Sequence, residues 1–406
     1  MTIADPKPAS VTDVAASATA ELLEAAREMR PRLAERAPWV EQNRRIPEDT
    51  LEELHSAGFF RYWIPRRWGG SGGPLIGQLR IAAELAKGCP STAWVWTLIG
   101  DVTAFAATFL TPEGTDAIYS SSDRPMAAGV LTPSGTARKV DGGYRVSGAW
   151  GFASGSLHAD WIMGGLVVVD DNDEPVNQGI GFMPVSDGEI KDTWQVVGMR
   201  GTGSNTFVVQ DVFVPDKLVR MASEMQATAK ALSEDEKDPI DRMPFAPLFS
   251  VGLCGPLLGA AQAILEKVSA NAHKRGITYF DFEKQTDSAV VLERLGEAAV
   301  RIDSAWLLVE RAAYELEEVT RGGELSFERR AWCRVAAGQA VDEVRIAVDS
   351  LMSIAGASSF AESSVLQQYW RDVMVGSRHA FLSTRPLYEV YGRAYCQVEP
   401  NITPYI

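Results

Sequence analysis

Between residues 125 and 220 the hydrophobic period of the chain changes from that of helices to that of strands, and beyond residue 245 it changes back. A chain with that order must build a β-unit between two helical ones. Upstream, "VTDVAASATAELLEAAREMRPRLAER" carries apolar residues at helical spacing, and "PEDTLEELHSAGFF" opens on proline and acids and stops at Gly58. "IPRRWGGSGGPL" is a glycine-rich connection. "LIGQLRIAAELAKGC" and "STAWVWTLIGDVTAFAATFL" are two further helices, the second nearly apolar and therefore buried. The middle segment is β-branched and punctuated by turn signals such as Asp141-Gly142-Gly143, which suits about six or seven strands in a small barrel or sandwich. "ALSEDEKDPIDRM" reads as an acidic surface loop or lid. Four helical segments follow, the middle two long, as in a bundle. The expected division is a helical domain over 1–122, a β-domain over 123–222 and a helical bundle over 223–406, with the first dozen residues a loose tail.

Composition excludes several function classes. The net charge of −14 opposes a nucleic-acid binder and an anionic membrane surface as partner. No run approaches the ~20 apolar residues of a membrane span. The N-terminus lacks a basic stretch followed by an apolar one, so no secretion signal is expected. Cys89, Cys254, Cys333 and Cys396 lie far apart with no metal-ligand spacing, which suits reduced thiols in the cytoplasm and no metal. The only histidines are His55, His158, His273 and His379.

"VSGAWGFASGSLHADWIMGG", residues 146–165, interrupts a strand with Ala153, Ser154, Gly155 and Ser156. These are too small to fill a core beside Trp150, Phe152 and Trp161. Two readings stand: a flat, polar-edged ligand lies against the sheet here, or the strand bulges and Ser154 faces solvent.

Four segments, in this order, resemble the acyl-CoA dehydrogenase superfamily: "AGFFRYWIPRRWGGSG" (57–72), "YRVSGAWGFASG" (144–155), "VVGMRGTGSNTFVVQDVFVP" (196–215) and "YWRDVMVGSRHAF" (369–381). "WGFASGSLHADW" is similar to the flavin-dependent monooxygenase branch of that fold. The resemblance implies an α+β architecture with an N-terminal helical domain, a central small β-barrel or sandwich and a C-terminal four-helix bundle. It also implies a two-component enzyme that receives FMNH2 or FADH2 from a separate NAD(P)H:flavin reductase. Such an enzyme hydroxylates an aromatic or polycyclic small molecule with O2 through a flavin C4a-hydroperoxide. The alternative on the same fold is N-oxygenation of an amine or amino sugar. A dehydrogenase of the usual kind needs a glutamate base near the C-terminus, and "VMVGSRHAFLSTR" after Arg371-Asp372 has no carboxylate. Many phenol hydroxylases of the branch carry a histidine where this chain has Val102, beside Asp101, which sets a simple phenol apart from the substrate expected here.

The resemblance places Ser154 near flavin N5 and Phe152 along the ring. His379 is the catalytic candidate, since an imidazole can take a proton from a substrate or donate a hydrogen bond at neutral pH; a helix-surface histidine beside Arg378 is the plainer alternative. His158 is expected to bond backbone at the end of the bend, and His55 and His273 to be ordinary helix residues. "GMRGTGSNT" (198–206) lacks a P-loop's Lys-Ser/Thr, yet a bend exposing N–H groups can cradle a phosphate or ribityl chain; Ser204 is a candidate contact there. Gly129 and Leu131 are candidate backbone contacts. Arg275 and, in "GASSF", Ser358 are expected to reach a neighbouring subunit's flavin, which implies a homotetramer. Arg371 and Asp372 are expected to hold their helix in place. Trp63, Trp94 and Trp96 could border a substrate cavity, although tryptophans are more often core.

Overall fold

The first helix, α1 (Val11–Asn43), buries Leu22, Ala26, Met29, Leu33, Ala37 and Val40, a stripe at helical spacing laid against α3 (Leu75–Gly88). The structure, a computed structural model, describes residues 11–225, 227–319, 323–403 and 406; residues 1–10 of the expected tail lie outside the described residues. Helix α2 (Glu48–Ser56) opens on Glu48 and Asp49, as a helix dipole favours. Helix α4 (Pro90–Phe109) starts with proline at its first turn, and all its residues are buried. It packs on α3, on the first strand and on α9 (Cys254–Ala272), so it runs through the middle of the molecule. Helix α5 (Pro112–Tyr119) is capped by Thr111 and ends this helical part.

Among the described residues seven strands follow: β1 (Ala127–Val140), β2 (Gly143–Ala153), β3 (Trp161–Val169), β4 (Pro175–Pro184), β5 (Glu189–Lys191), β6 (Asn205–Pro215) and β7 (Val219–Met221). They form one mixed sheet in the order β5-β6-β2-β1-β3-β4-β7, in which β1 and β3 are parallel and the other pairs antiparallel. The hydrogen-bonded order has two ends, β5 and β7. Asp141-Gly142 makes the expected tight turn, with Val140 opposite Gly143 and Gly142 at φ +74°.

The helical C-terminal part contains α6 (Ala227–Ala231), α7 (Pro239–Arg242), α8 (Phe245–Gly252), α9, α10 (Ala289–Tyr314), α11 (Phe327–Ala355), α12 (Val365–Gly376) and α13 (Thr384–Tyr395). Helices α9, α10, α11 and α12 pack on one another as the expected bundle. Two expectations change. The acidic stretch 231–243 is not all solvated surface: Asp238 and Asp241 are buried against Arg66 and Arg67, which pin the segment to the N-terminal helices. Phe245–Ala272 is long and apolar enough to cross a membrane by length and composition, but it is broken at Leu253 and lies almost wholly inside the protein. The four cysteines are free; Cys396 is exposed and the other three are buried.

Candidate active site

The interruption in β2 is a bulge. Trp150 pairs with Phe207 and Ala153 with Asn205, so Gly151 and Phe152 together face Thr206. Phe152 takes φ +64°, a strained value for an aromatic residue, and the residue is 76% exposed. It meets Trp194 edge-on with centroids 5.6 Å apart, leaving an aromatic platform on the sheet. Ser154, by contrast, is only 8% exposed. The bend and the inward hydroxyl therefore coexist: the bulge turns Ser154 away from solvent.

Behind Ser154 stands a chain of hydroxyls. Ser154 Oγ is 2.6 Å from Ser204 Oγ, which is 2.6 Å from Thr202 Oγ1; Thr202 donates to the Met199 carbonyl at 2.8 Å. Met199 and Gly203 sit at φ +53° and +52°, which folds residues 199–204 into a tight loop. Helix α12 holds that loop. Asp372 accepts the Met199 N–H, and Arg371 donates to the Val197 carbonyl and to Glu41. A Cβ on Gly198 would lie 2.2 Å from the Arg371 carbonyl oxygen, so only glycine allows this approach. Burial pushes the Asp372 carboxyl up to about 7, and its Oδ2 has no partner among the described residues.

Helix α4 divides the site into two sides. Val95 and Ile99 meet Gly155, and Val102 meets Gly129; these three positions share one helical face, turned to the sheet. Trp94 and Phe105 face the C-terminal helices. Trp94 packs on His379 at 5.9 Å between centroids, and Phe105 packs on Phe245 and Phe249. His379 also touches Phe249 and Phe381. Its Nδ1 accepts the Phe381 N–H at 3.3 Å, capping the short turn Ala380–Leu382. Burial lowers the imidazole to about 4, so it is neutral at pH 7. With Nδ1 occupied as an acceptor, the neutral ring carries its proton on Nε2 and is a donor there.

Phe105, Phe109, Ile240, Met243, Phe245 and Leu248 line a cavity of about 590 Å³ whose rim carries Lys237, Arg242 and Glu234. Phe245 is also edge-on to Phe381, one ring from His379.

The remaining candidates fall in separate places. Trp96 donates to the Phe59 carbonyl and Trp63 stacks on Tyr62; both belong to a buried aromatic knot, and Trp94 alone of the three borders His379. Gly129 is part-buried, and a Cβ there would lie 3.1 Å from Val102 Cγ1. Leu131 follows it where the β1–β3 register shifts. Ser204 is buried behind Ser154. Arg275 bonds the Ala355 carbonyl and Ser358 Oγ, so those two residues share one recess, lined also by Asn271 and Gln285. His158 accepts the Ile46 backbone N–H through Nε2, and His55 packs on Phe60. His273 caps the C-terminus of α9. Sequence reading missed Thr202, Trp194, Phe249 and Phe381; threonines and aromatics in apolar runs carry no local mark of such a role.

Residues 18–127 match the acyl-CoA dehydrogenase N-terminal domain, and residues 251–384 match the acyl-CoA dehydrogenase C-terminal domain. The oxygenase subunit HsaA of a flavin-dependent monooxygenase from Rhodococcus jostii is 35% identical over 89% of this chain and 94% of its own. The oxygenase component of p-hydroxyphenylacetate 3-hydroxylase from Acinetobacter baumannii is 27% identical over 94% and 90%. Among solved structures, XiaF from Streptomyces in complex with FADH2 and glycerol superposes with a TM-score of 0.92, at 32% identity, over 98% of this chain and 100% of its own.

Proposed function

The chain belongs to the acyl-CoA dehydrogenase family, among its flavin-dependent monooxygenases, and from that premise we propose that it is the oxygenase component of an aromatic hydroxylase. Reduced flavin, FMNH2 or FADH2, comes from a separate NAD(P)H:flavin reductase. The substrate is an aromatic or polycyclic small molecule.

The residues fit a flavin. The exposed Phe152 ring at a strained φ offers a face, and the buried Ser154 hydroxyl beside it offers a polar atom to the edge of a planar ring system. Phe152, Ser154 and the backbone of Gly129 and Leu131 would hold the ring system. Arg275 and Ser358 of a neighbouring copy would reach its phosphate. Reduced flavin, when bound, supplies the electrons with which O2 gives one atom to the substrate and the other to water.

The chain's own residues do the rest. Trp94, Phe249 and Phe381 pack their rings around His379. His379 keeps its proton on Nε2 and would offer it to an oxygen of the bound reactants. A cavity of about 590 Å³ suits a substrate of more than one ring. The absence of a carboxylate from residues 373–385 removes the base that a dehydrogenase needs. The observation that carries the reading is α4 itself, which touches the Ser154 bend through Val95 and Ile99 and His379 through Trp94.

A homotetramer is part of the proposal. Val300, Leu307 and Tyr314 leave an exposed apolar stripe along α10 at seven-residue spacing, which a second copy would cover. Buried, unpaired thiols suit a cytoplasmic setting.

The test supplies anaerobically reduced flavin and 18O2 to the protein with a panel of phenols, indoles and polycyclic aromatics. One labelled oxygen in a hydroxylated product is expected. A yellow protein that instead reduces its flavin with an acyl-CoA thioester would overturn the proposal.

A further inference from the structure

The hydroxyl chain behind Ser154 has a direction. Thr202 Oγ1 lies 2.8 Å from the Met199 carbonyl oxygen, so its single hydrogen must lie between them; without it, two sets of lone pairs would face each other at that distance. Thr202 is then an acceptor toward Ser204, and Ser204 spends its own hydrogen on Thr202. Ser204 is in turn an acceptor toward Ser154, so Ser154 spends its hydrogen on Ser204. At the open end of the chain Ser154 has only lone pairs left to offer. The far end is held against reversal: Asp372 fixes the Met199 N–H, and Trp194 Nε1 donates to the same Met199 carbonyl at 2.9 Å.

We propose that Thr202 and Ser204 act as positioning residues that make the Ser154 hydroxyl an acceptor-only group, and that this selects reduced over oxidised flavin. The proposal rests on the flavin reading above. Dihydroflavin carries a hydrogen on N5 and is a donor there; oxidised flavin carries a lone pair on N5 and is an acceptor. An acceptor-only serine bonds the first and repels the second. Selection for the reduced cofactor thus comes from two buried residues that need not touch it. A site that must collect reduced flavin from solution and release the oxidised product gains from that polarity.

Ser204→Ala frees the Ser154 hydrogen to turn outward. Oxidised-flavin binding should then tighten by about tenfold while reduced-flavin binding stays near the parent value, the size expected for turning one repulsive polar contact into a hydrogen bond. The midpoint potential of the bound flavin should fall by about 30 mV, the two-electron equivalent of tenfold. Thr202→Val should act in the same direction by removing the acceptor of Ser204, and Thr202→Ser should restore the parent ratio. Dissociation constants for both redox states, measured by anaerobic fluorescence titration on the full chain, read the effect without turnover. An unchanged ratio in both Ser204→Ala and Thr202→Val, or equal weakening of both redox states, overturns the proposal. A parent protein that binds neither flavin state overturns the flavin reading itself, a distinct result.

Discussion

Asp372 on α12 accepts the backbone N–H of Met199, the residue whose carbonyl anchors the hydroxyl chain leading to Ser154. A buried carboxyl on the C-terminal bundle thereby sets the position of a loop on the β-domain. Asp372→Ala leaves the Met199 N–H without a partner in a dry site. A loss of about 1–3 kcal/mol is expected, read as a lower denaturant midpoint, together with weaker reduced-flavin binding. Asp372→Asn, which keeps an acceptor oxygen, should recover most of the stability.

Asp101 gives a second, pH-dependent prediction. It is fully buried, accepts from Gln78 Nε2, and burial pushes its carboxyl up to about 7. Between the unfolded-state value near ~4 and about 7 the unfolded chain releases this proton first, so the contribution to stability falls as pH rises through that window. Asp101→Asn removes the dependence. Its advantage over the parent should grow by on the order of 2 kcal/mol from pH 5 to pH 8, measured by urea unfolding at the two pH values. A constant difference would contradict the assignment.

His379 moves the other way. Its folded value of about 4 lies below the unfolded ~6.5, so the unfolded chain binds the proton first and stability is lost as pH falls through that window. Above it the ring is neutral, and the ratio of hydroxylated product to hydrogen peroxide should stay flat from pH 7 to 8. His379→Ala should lower that ratio by about tenfold or more, as expected for loss of one aligned donor. His379→Gln, which carries an N–H near the Nε2 position, should restore part of it.

Gly155 stands at φ +78°, and a Cβ there would lie 2.9 Å from Ile99 Cδ1. Gly155→Ala combines backbone strain with overpacking against α4 and should cost on the order of 2 kcal/mol. Because the residue follows Ser154 directly, weaker reduced-flavin affinity should accompany the lower unfolding midpoint.

Arg67 donates to both oxygens of Asp241, whose side chain is fully buried. Arg67→Ala strands that carboxylate and should cost about 3 kcal/mol. Limited proteolysis should then cut within 231–243 under conditions in which the parent resists. Asp241→Asn in the same background should recover part of the loss.

The order helix, sheet, helix was legible in the amino-acid string because hydrophobic period is a local property: α1 shows its stripe, and the strands show β-branched runs between turns. Ser154 and His379 stood out because a small polar residue among aromatics, and one of few histidines, are locally odd. Other features lay beyond local reading. Helix α4 is buried on every side, so nothing in its period says that 95, 99 and 102 face the sheet while 94 and 105 face the C-terminal helices. Ser154 and Ser204 are 50 positions apart and meet only once β2 pairs with β6. The direction of their hydrogen bonds comes from a carbonyl that a third segment, α12, holds in place. Sequence by itself determined which pieces form, since each piece answers to its own residues; tertiary structure decided which way each face and each hydroxyl points, since that depends on the partner it is packed against.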